Sequence, residues 1–312
     1  MSAEAICQET SFEVFGRKIA AKRWGNGQGP RFFALHGWLD NANTFDRLAP
    51  LLPELDLVAL DFSGHGYSDH RAAGEMYLPF TDIQDVLAVA DELGWAEFGL
   101  LGHSMGASIS SELSGLVPDR VSQVVLIDGM VATGGITLDE RLQNSRESLL
   151  RTLDTQRSEG QGGPRTFDSQ EAMAMRVTQA TDQSLPAASS LVARGSKPVE
   201  GGFTWRTDPR IRFPTPLRHT REYLDVLLAG VTAPTLLVVA EQGDEWYRGE
   251  IEHSAGVHGN LTIERMPGPH HIHLEPAYVM QVAEYTRDFL QLGPLRHPSA
   301  EELEWDGGYK NR

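Results

Sequence analysis

The stretch Phe98 to Gly106, FGLLGHSMG, decides the fold. Six residues of a short apolar strand end at His103. Ser104 follows, and an apolar-periodic helix runs from about Met105 to Leu116 before Pro118 stops it. A serine at so sharp a strand-to-helix turn needs small neighbours, because a Cβ at Gly102 or Gly106 would run into the adjoining strand or helix. The turn pushes the Ser104 hydroxyl out at the carboxyl edge of a sheet, where open α/β sheets bind ligands.

The same rhythm extends outward in both directions. Upstream, RFFALHG ends a strand at Leu35. Thr44 is the expected N-cap of a helix through Phe45, Leu48 and Leu51, and LDLVALDF is a near-continuous apolar strand of the kind covered on both faces. FTDIQDVLAVADELGW reads as a helix with a capping box at Thr81 and Gln84 and a stop at Gly94. Downstream, VSQVVLIDG, APTLLVVAEQ and NLTIERMPG are strands, and a closing helix runs from Pro276 to Gly293. Phe12–Phe15 and Ile19–Trp24 alternate in polarity about Gly16 and read as a hairpin. Strand and helix alternation with short connections requires a mostly parallel, twisted sheet with helices on both faces. From about Met130 to Gly230 the rhythm breaks into helical patterns with no convincing strand. The expected division is therefore a core of residues 1–129 and 231–292, an inserted helical cap of residues 130–230, and a tail of residues 293–312 with a short helix capped by Ser299 and Glu302.

Composition narrows the partners. Of 312 residues, 27 are Lys or Arg and 43 are Asp or Glu, a formal net charge of −16. A surface this acidic repels phosphate backbones and anionic headgroups, and no basic run offsets it, so neither nucleic acid nor a membrane surface is an expected partner. Cys7 is the only cysteine, which excludes an intrachain disulfide or a thiolate cluster from one chain. With no basic-then-apolar start and no apolar run near the roughly 20 residues that span a bilayer, the default compartment is the cytoplasm. The glycines of GNGQGP precede a strand rather than a helix, so they are not a phosphate loop.

Taken together, the elbow and the strands around it resemble the α/β-hydrolase-fold serine hydrolases over residues from about 10 to 292. Within that superfamily HGWLDNANTFDRLAPLLP, GHSMG and GGFTWRTDPRIRFPTPLR resemble the serine-hydrolase-like proteins of bacteria and animals, near the carboxylesterases. The resemblance implies Ser104 as nucleophile with a histidine base, because a serine hydroxyl needs a group to take its proton. Most of the eleven histidines lie inside motifs or on expected surface segments, leaving PGPHHIHLEP. The family's Gly-x-His loop maps onto Gly268, Pro269 and His270, so His270 is the expected base and His271 the alternative. A metal site built from His270, His271 and His273 is not expected, since adjacent side chains diverge and no metalloprotease spacing accompanies them. No cofactor is implied.

The acid that orients the base commonly follows the strand after the insertion in this family. Here that loop is AEQGDEW, with Ala240 at the family's glycine position and Asp244 one residue late. Asp244 is the expected acid, Asp128 at the end of VSQVVLID the alternative, and Glu241 third. The oxyanion hole is expected from the backbone N–H groups of Trp38 and Met105. His36, His103, Trp205 and Trp246 are expected around the substrate. The implied activity is hydrolysis of small to medium carboxylic esters through an acyl-enzyme. The alternatives are cleavage of carbon–carbon bonds in diketone-like ring-cleavage products and a ligand-binding homologue without turnover.

Overall fold

The computed structural model describes residues 7–131, 137–157, 165–242 and 245–295. Its centre is an eight-stranded sheet. The strands in chain order are β1 (Gln8–Val14), β2 (Arg17–Trp24), β3 (Arg31–Leu35), β4 (Asp56–Leu60), β5 (Phe98–His103), β6 (Val121–Ile127), β9 (Thr235–Ala240) and β10 (Leu261–Met266). Their spatial order is β1-β2-β4-β3-β5-β6-β9-β10. The β1–β2 and β2–β4 pairs are antiparallel, and every pair from β4 to β10 is parallel.

The apolar runs of the inner strands are continuous because both faces are covered. Along β5, Leu100 joins one hydrophobic cluster and Leu101 the other; along β6, Val124 and Leu126 alternate with Val125 and Ile127. The first face is covered by α1 (Pro79–Glu92), α2 (Met105–Leu116) and α6 (Arg221–Ala229), through residues such as Val86, Ile109 and Leu227. The second is covered by α8 (Val279–Leu290) and by Phe45, Leu48 and Leu52. A further helix, α7 (Glu245–Val257), links β9 to β10.

Several boundaries differ from the sequence reading, each for a local reason. Thr44 does not cap a helix. Asn41 accepts from the Asn43 N–H at the start of a short 3-10 turn, and the Thr44 hydroxyl is turned inward to within 2.8 Å of His273 Nε2. Helix α1 starts at Pro79, so Thr81 is its third residue rather than its cap; its hydroxyl accepts from the Leu78 N–H and donates to the Leu78 carbonyl. Helix α8 begins at Val279, three residues after Pro276.

Between β6 and β9 lie α3 (Leu138–Arg157), α4 (Gln170–Thr178) and α5 (Leu185–Gly195), and also a two-stranded hairpin, β7 (Ser196–Val199) with β8 (Gly202–Trp205). The hairpin corrects the expectation of no strand here. Pro198 and the Gly201–Gly202 pair hide it in sequence, yet Gly201 at φ +82° makes the turn and Pro198 can sit in a two-stranded ribbon without a central-ladder donor. This segment has its own cluster of Phe167, Met173, Ala174, Ala188 and Val192, packed against Phe203 and Trp205. Arg194, 2 % exposed, ties it to the core: its Nε donates to both oxygens of Asp61 and its Nη1 to Glu9. No helix among the described residues is long and apolar enough to cross a membrane. Ser299 and Glu302 lie outside the described residues.

Candidate active site

The parallel strands β3, β5, β6, β9 and β10 all release their chains at one edge, and the residues of interest sit there. Ser104 leaves β5 at φ +52°, ψ −114°, a backbone conformation that L-residues rarely adopt, and is the residue from which α2 starts. The flanking glycines are required by contact. A Cβ on Gly106 would lie 2.0 Å from the Leu35 carbonyl oxygen, and one on Gly102 would lie 2.5 Å from that of Gly106. The Ser104 N–H still donates to the Ile127 carbonyl at 3.1 Å, so the elbow is tethered to β6.

On that neighbouring strand Asp128 follows Ile127 with φ +41° and is 4 % exposed. Its Oδ1 accepts from the Ala240 N–H at 2.9 Å, and its Oδ2 lies 2.6 Å from His270 Nδ1. Both carboxylate oxygens are thus engaged, one in holding the carboxylate and one in holding the imidazole. His270 hangs in the loop after β10. Burial depresses its basicity, but the hydrogen bond it donates to Asp128 and the charges of Asp128, Asp40 and Asp182 outweigh that and raise its pKa above the ordinary 6.5.

Asp128, the alternative acid, is therefore the carboxylate that meets His270. Asp244 lies outside the described residues, and Glu241 is exposed. The neighbouring glycine explains why an aspartate can reach: a Cβ on Gly129 would sit 2.6 Å from Ser104 Cα, so the two strand ends cross in close contact.

The expected oxyanion donors flank the elbow. Met105 begins α2, where the first N–H groups have no intrahelical carbonyl to bond. Trp38 is in the turn closed by Asp40 N–H to Gly37 carbonyl at 3.1 Å, and its indole Nε1–H donates to the Ile211 carbonyl. Both line a cavity of about 140 Å³, together with His65, Tyr77, Ile211 and Phe213.

The remaining expected pocket residues lie elsewhere. His36 is wholly buried in structural bonds: Nδ1–H donates to the Gly37 carbonyl and Nε2 accepts from the Phe62 N–H. Burial pushes its pKa down to about 4, so it stays neutral. Trp205 packs edge-on against Phe167 with centroids 6.2 Å apart, inside the segment's own cluster. The Trp246 side chain lies outside what is described. His103 is fully buried, with Nε2 3.1 Å from the His270 carbonyl oxygen and Nδ1 3.4 Å from Asp40 Oδ2; burial lowers its pKa to about 3. Its contact with His270 links the elbow to the loop after β10, a connecting role rather than a lining one.

Two features were given no role by the sequence. His65 donates from Nδ1 to the Ser63 carbonyl, leaving a buried Nε2 without a hydrogen-bond partner among the described residues at the cavity wall. Asp40, buried between His103 and His271, is the other. Asp40 carries no local signal, because its neighbours arrive from distant strand ends, whereas His65 lies in SGHGYSD, the strand-end loop after β4.

Comparison with known proteins agrees with this fold. A family model described as alpha/beta hydrolase fold matches residues 30–244. This chain belongs to the α/β-hydrolase fold family. The α/β hydrolase is 32 % identical over 288 residues to a serine hydrolase-like protein of Danio rerio, covering 88 % of this chain and 85 % of that one. A hypothetical protein from Pseudomonas aeruginosa PAO1 has a similar crystal structure, with TM-score 0.83 and 38 % identity over 91 % of this chain and 99 % of that one. An esterase of Mycobacterium tuberculosis is 31 % identical over 193 residues, 61 % of this α/β hydrolase and 60 % of the esterase.

Proposed function

We propose that this α/β hydrolase is a serine esterase that cleaves small carboxylic esters through an acyl-enzyme on Ser104, with His270 as base and Asp128 as the acid that orients it. The observation that carries the reading is the 2.6 Å contact of His270 Nδ1 with Asp128 Oδ2, beside a serine held at positive φ. With its proton fixed on Nδ1 by a carboxylate, His270 presents a lone pair at Nε2 to take the Ser104 proton. Ser104 Oγ attacks the acyl carbon, and the tetrahedral oxyanion is met by the N–H groups of Trp38 and Met105, each worth roughly 3 kcal/mol of barrier. His270 then protonates the leaving alcohol and activates water to release the acid.

The cavity beside those two donors supports a short acyl or aryl group. Its volume of about 140 Å³ is close to the roughly 150 Å³ at which an apolar protein cavity holds benzene. Ile211, Phe213, Ser148 and Thr152 of the segment between β6 and β9 contribute to its wall, so that segment acts as a cap that limits acyl size and excludes water. The neutral Nε2 of His65 offers one acceptor for a donor on the substrate.

The test is a panel of p-nitrophenyl esters from acetyl to dodecanoyl, with Ser104→Ala as control and fluorophosphonate labelling of Ser104. Turnover that peaks at short chains, together with labelling lost in His270→Ala, is the expected result. Carbon–carbon cleavage of a diketone without ester turnover would replace the esterase reading. A folded, unlabelled protein would point to ligand binding instead.

A further inference from the structure

We infer that Asp40, His103 and His271 form a binding site for one borderline divalent transition-metal ion such as Zn²⁺, behind the Ser104 and His270 loops. All three residues are buried, and one donor atom from each lies within 4.8 Å of the other two. Two of the separations are informative. His103 Nδ1 is 3.4 Å and His271 Nε2 is 3.2 Å from Asp40 Oδ2. Zinc–nitrogen and zinc–oxygen bonds of about 2.0–2.1 Å in a tetrahedron put ligand atoms about 3.3–3.4 Å apart. The two edges that converge on Asp40 therefore already have the spacing of metal ligands.

The proton positions favour a cation further. His103 Nε2 is 3.1 Å from the carbonyl oxygen of His270, and a carbonyl can only accept, so the hydrogen is on Nε2. The neutral ring then turns the Nδ1 lone pair toward a carboxylate oxygen, two electron-rich atoms facing each other. His103 Nδ1 is buried with no hydrogen-bond partner among the described residues. A metal ion between them converts that repulsion into two bonds. His271 can follow suit through Gln183, whose amide nitrogen lies 2.8 Å from His271 Nε2 and 3.0 Å from its Nδ1 and whose Oε1 is buried without a partner. Turning that amide over lets Oε1 accept from Nδ1–H, which leaves the lone pair on Nε2, facing Asp40. Such an outer partner fixes the tautomer of a ligating histidine.

The donor set also selects the metal. Two imidazoles and one carboxylate suit zinc, copper, nickel or cobalt and are poor for calcium or magnesium, which demand oxygen ligands. The adjacent histidines of PGPHHIHLEP do not build the site by themselves, since only His271 belongs to it; the other donors arrive on the loops after β3 and at the end of β5. Because His103 and His271 directly adjoin Ser104 and His270, an ion here pins the elbow to the base loop. The site does not depend on the esterase reading.

The experiment is titration of chelator-treated full-length protein with ZnCl₂ by calorimetry, with CoCl₂ for the visible d–d spectrum of a low-coordinate site. One ion per chain is expected, with a raised melting temperature and no response to CaCl₂. Asp40→Asn and His271→Gln, each checked for folding by circular dichroism, should weaken the Kd by roughly 100-fold or more. His253→Gln, at a surface histidine paired with Asp225, should leave it unchanged. Absence of one-to-one binding would overturn the site, as would an affinity kept in both folded variants or lost in His253→Gln.

Discussion

Replacing Asp128 by asparagine should abolish most activity while leaving the protein folded, and the structure says why. Asp128 Oδ1 accepts from the buried Ala240 N–H at 2.9 Å, while Oδ2 meets His270 Nδ1 at 2.6 Å. Asparagine has one acceptor and one donor on the same frame. Ala240 N–H can only donate, and leaving it unpaired costs about 1–3 kcal/mol, so the amide oxygen stays on Ala240 and the NH₂ group turns to His270. An N–H opposite Nδ1 drives the imidazole proton to Nε2, the atom that should receive the Ser104 proton. The wrong tautomer at a Ser-His-Asp site costs about 10⁴ in kcat, or about 5.5 kcal/mol at 1.36 kcal/mol per tenfold. The assay is initial-rate hydrolysis of p-nitrophenyl acetate, with Asp244→Asn measured in parallel and thermal melts to confirm folding. A folded Asp128→Asn within tenfold of the parent, or a crippled Asp244→Asn beside it, would refute the reasoning.

Two pH dependences follow from the histidines. His270 must be neutral to act as base, and Asp128 holds its pKa above 6.5, so kcat/KM should fall as pH drops through a midpoint above 6.5; a midpoint below 6.5 in the pH–rate profile contradicts the pairing. His36, His65, His103 and His273 behave oppositely, because burial keeps them neutral in the fold, with pKa values of about 4, 3 and 3 for the first three and a strong downward shift for the last. The unfolded chain takes up four protons near pH 6.5 that the native state refuses, so stability falls as pH drops: by about 5 kcal/mol between pH 7.5 and 5.5. Asp82, raised to about 7 by burial, has the opposite sign and returns about 2 kcal/mol over the same range, leaving a net loss of about 3 kcal/mol, which the lowered His258 increases and the raised His270 and Asp46 reduce. Urea melts at the two pH values measure this, and equal midpoints would exclude it.

The layered architecture and the elbow were legible because each is written in local pattern: apolar strands of five to seven residues, helix stops at Gly94 and Pro118, and glycines on both sides of Ser104. The carboxylate facing His270 was not legible. Asp128 and Asp244 both follow sheet strands, and nothing in either local sequence says which carboxylate faces the loop after β10. That depends on β6 lying between β5 and β9, a non-local fact. The cavity wall was obscured for a related reason. Aromatic and aliphatic residues of an insertion look alike in sequence, and whether Trp205 or Ile211 reaches the sheet edge is settled by a hairpin whose proline and glycines disguise it.

The precision of the site comes from the sheet's register more than from its loops. In the β5–β6 ladder Gly102 pairs with Leu126 and His103 with Ile127, so the next residues, Ser104 and Asp128, leave their strands together. Both do so in the left-handed region, at φ +52° and +41°, where a non-glycine residue costs of order 1–3 kcal/mol. Each is still tied by its own N–H to a neighbouring strand, Ser104 to Ile127 and Asp128 to Val238. Those bonds and the glycine contacts leave no relaxed alternative that keeps the ladder intact. At these two strand ends the strain therefore falls on two adjacent residues whose side chains must point out of the sheet at fixed separation, Leu39 at φ +65° being a third such residue in the Trp38 turn, and of Ser104, Asp128 and His270 only His270 is supplied by a loop. Even that loop is fastened to the elbow, because the ring of His103 bonds the carbonyl of His270. A substitution that loosened His103 would thus disturb the base without touching it, which makes the residue before the serine a positioning element of the site as well as part of its turn.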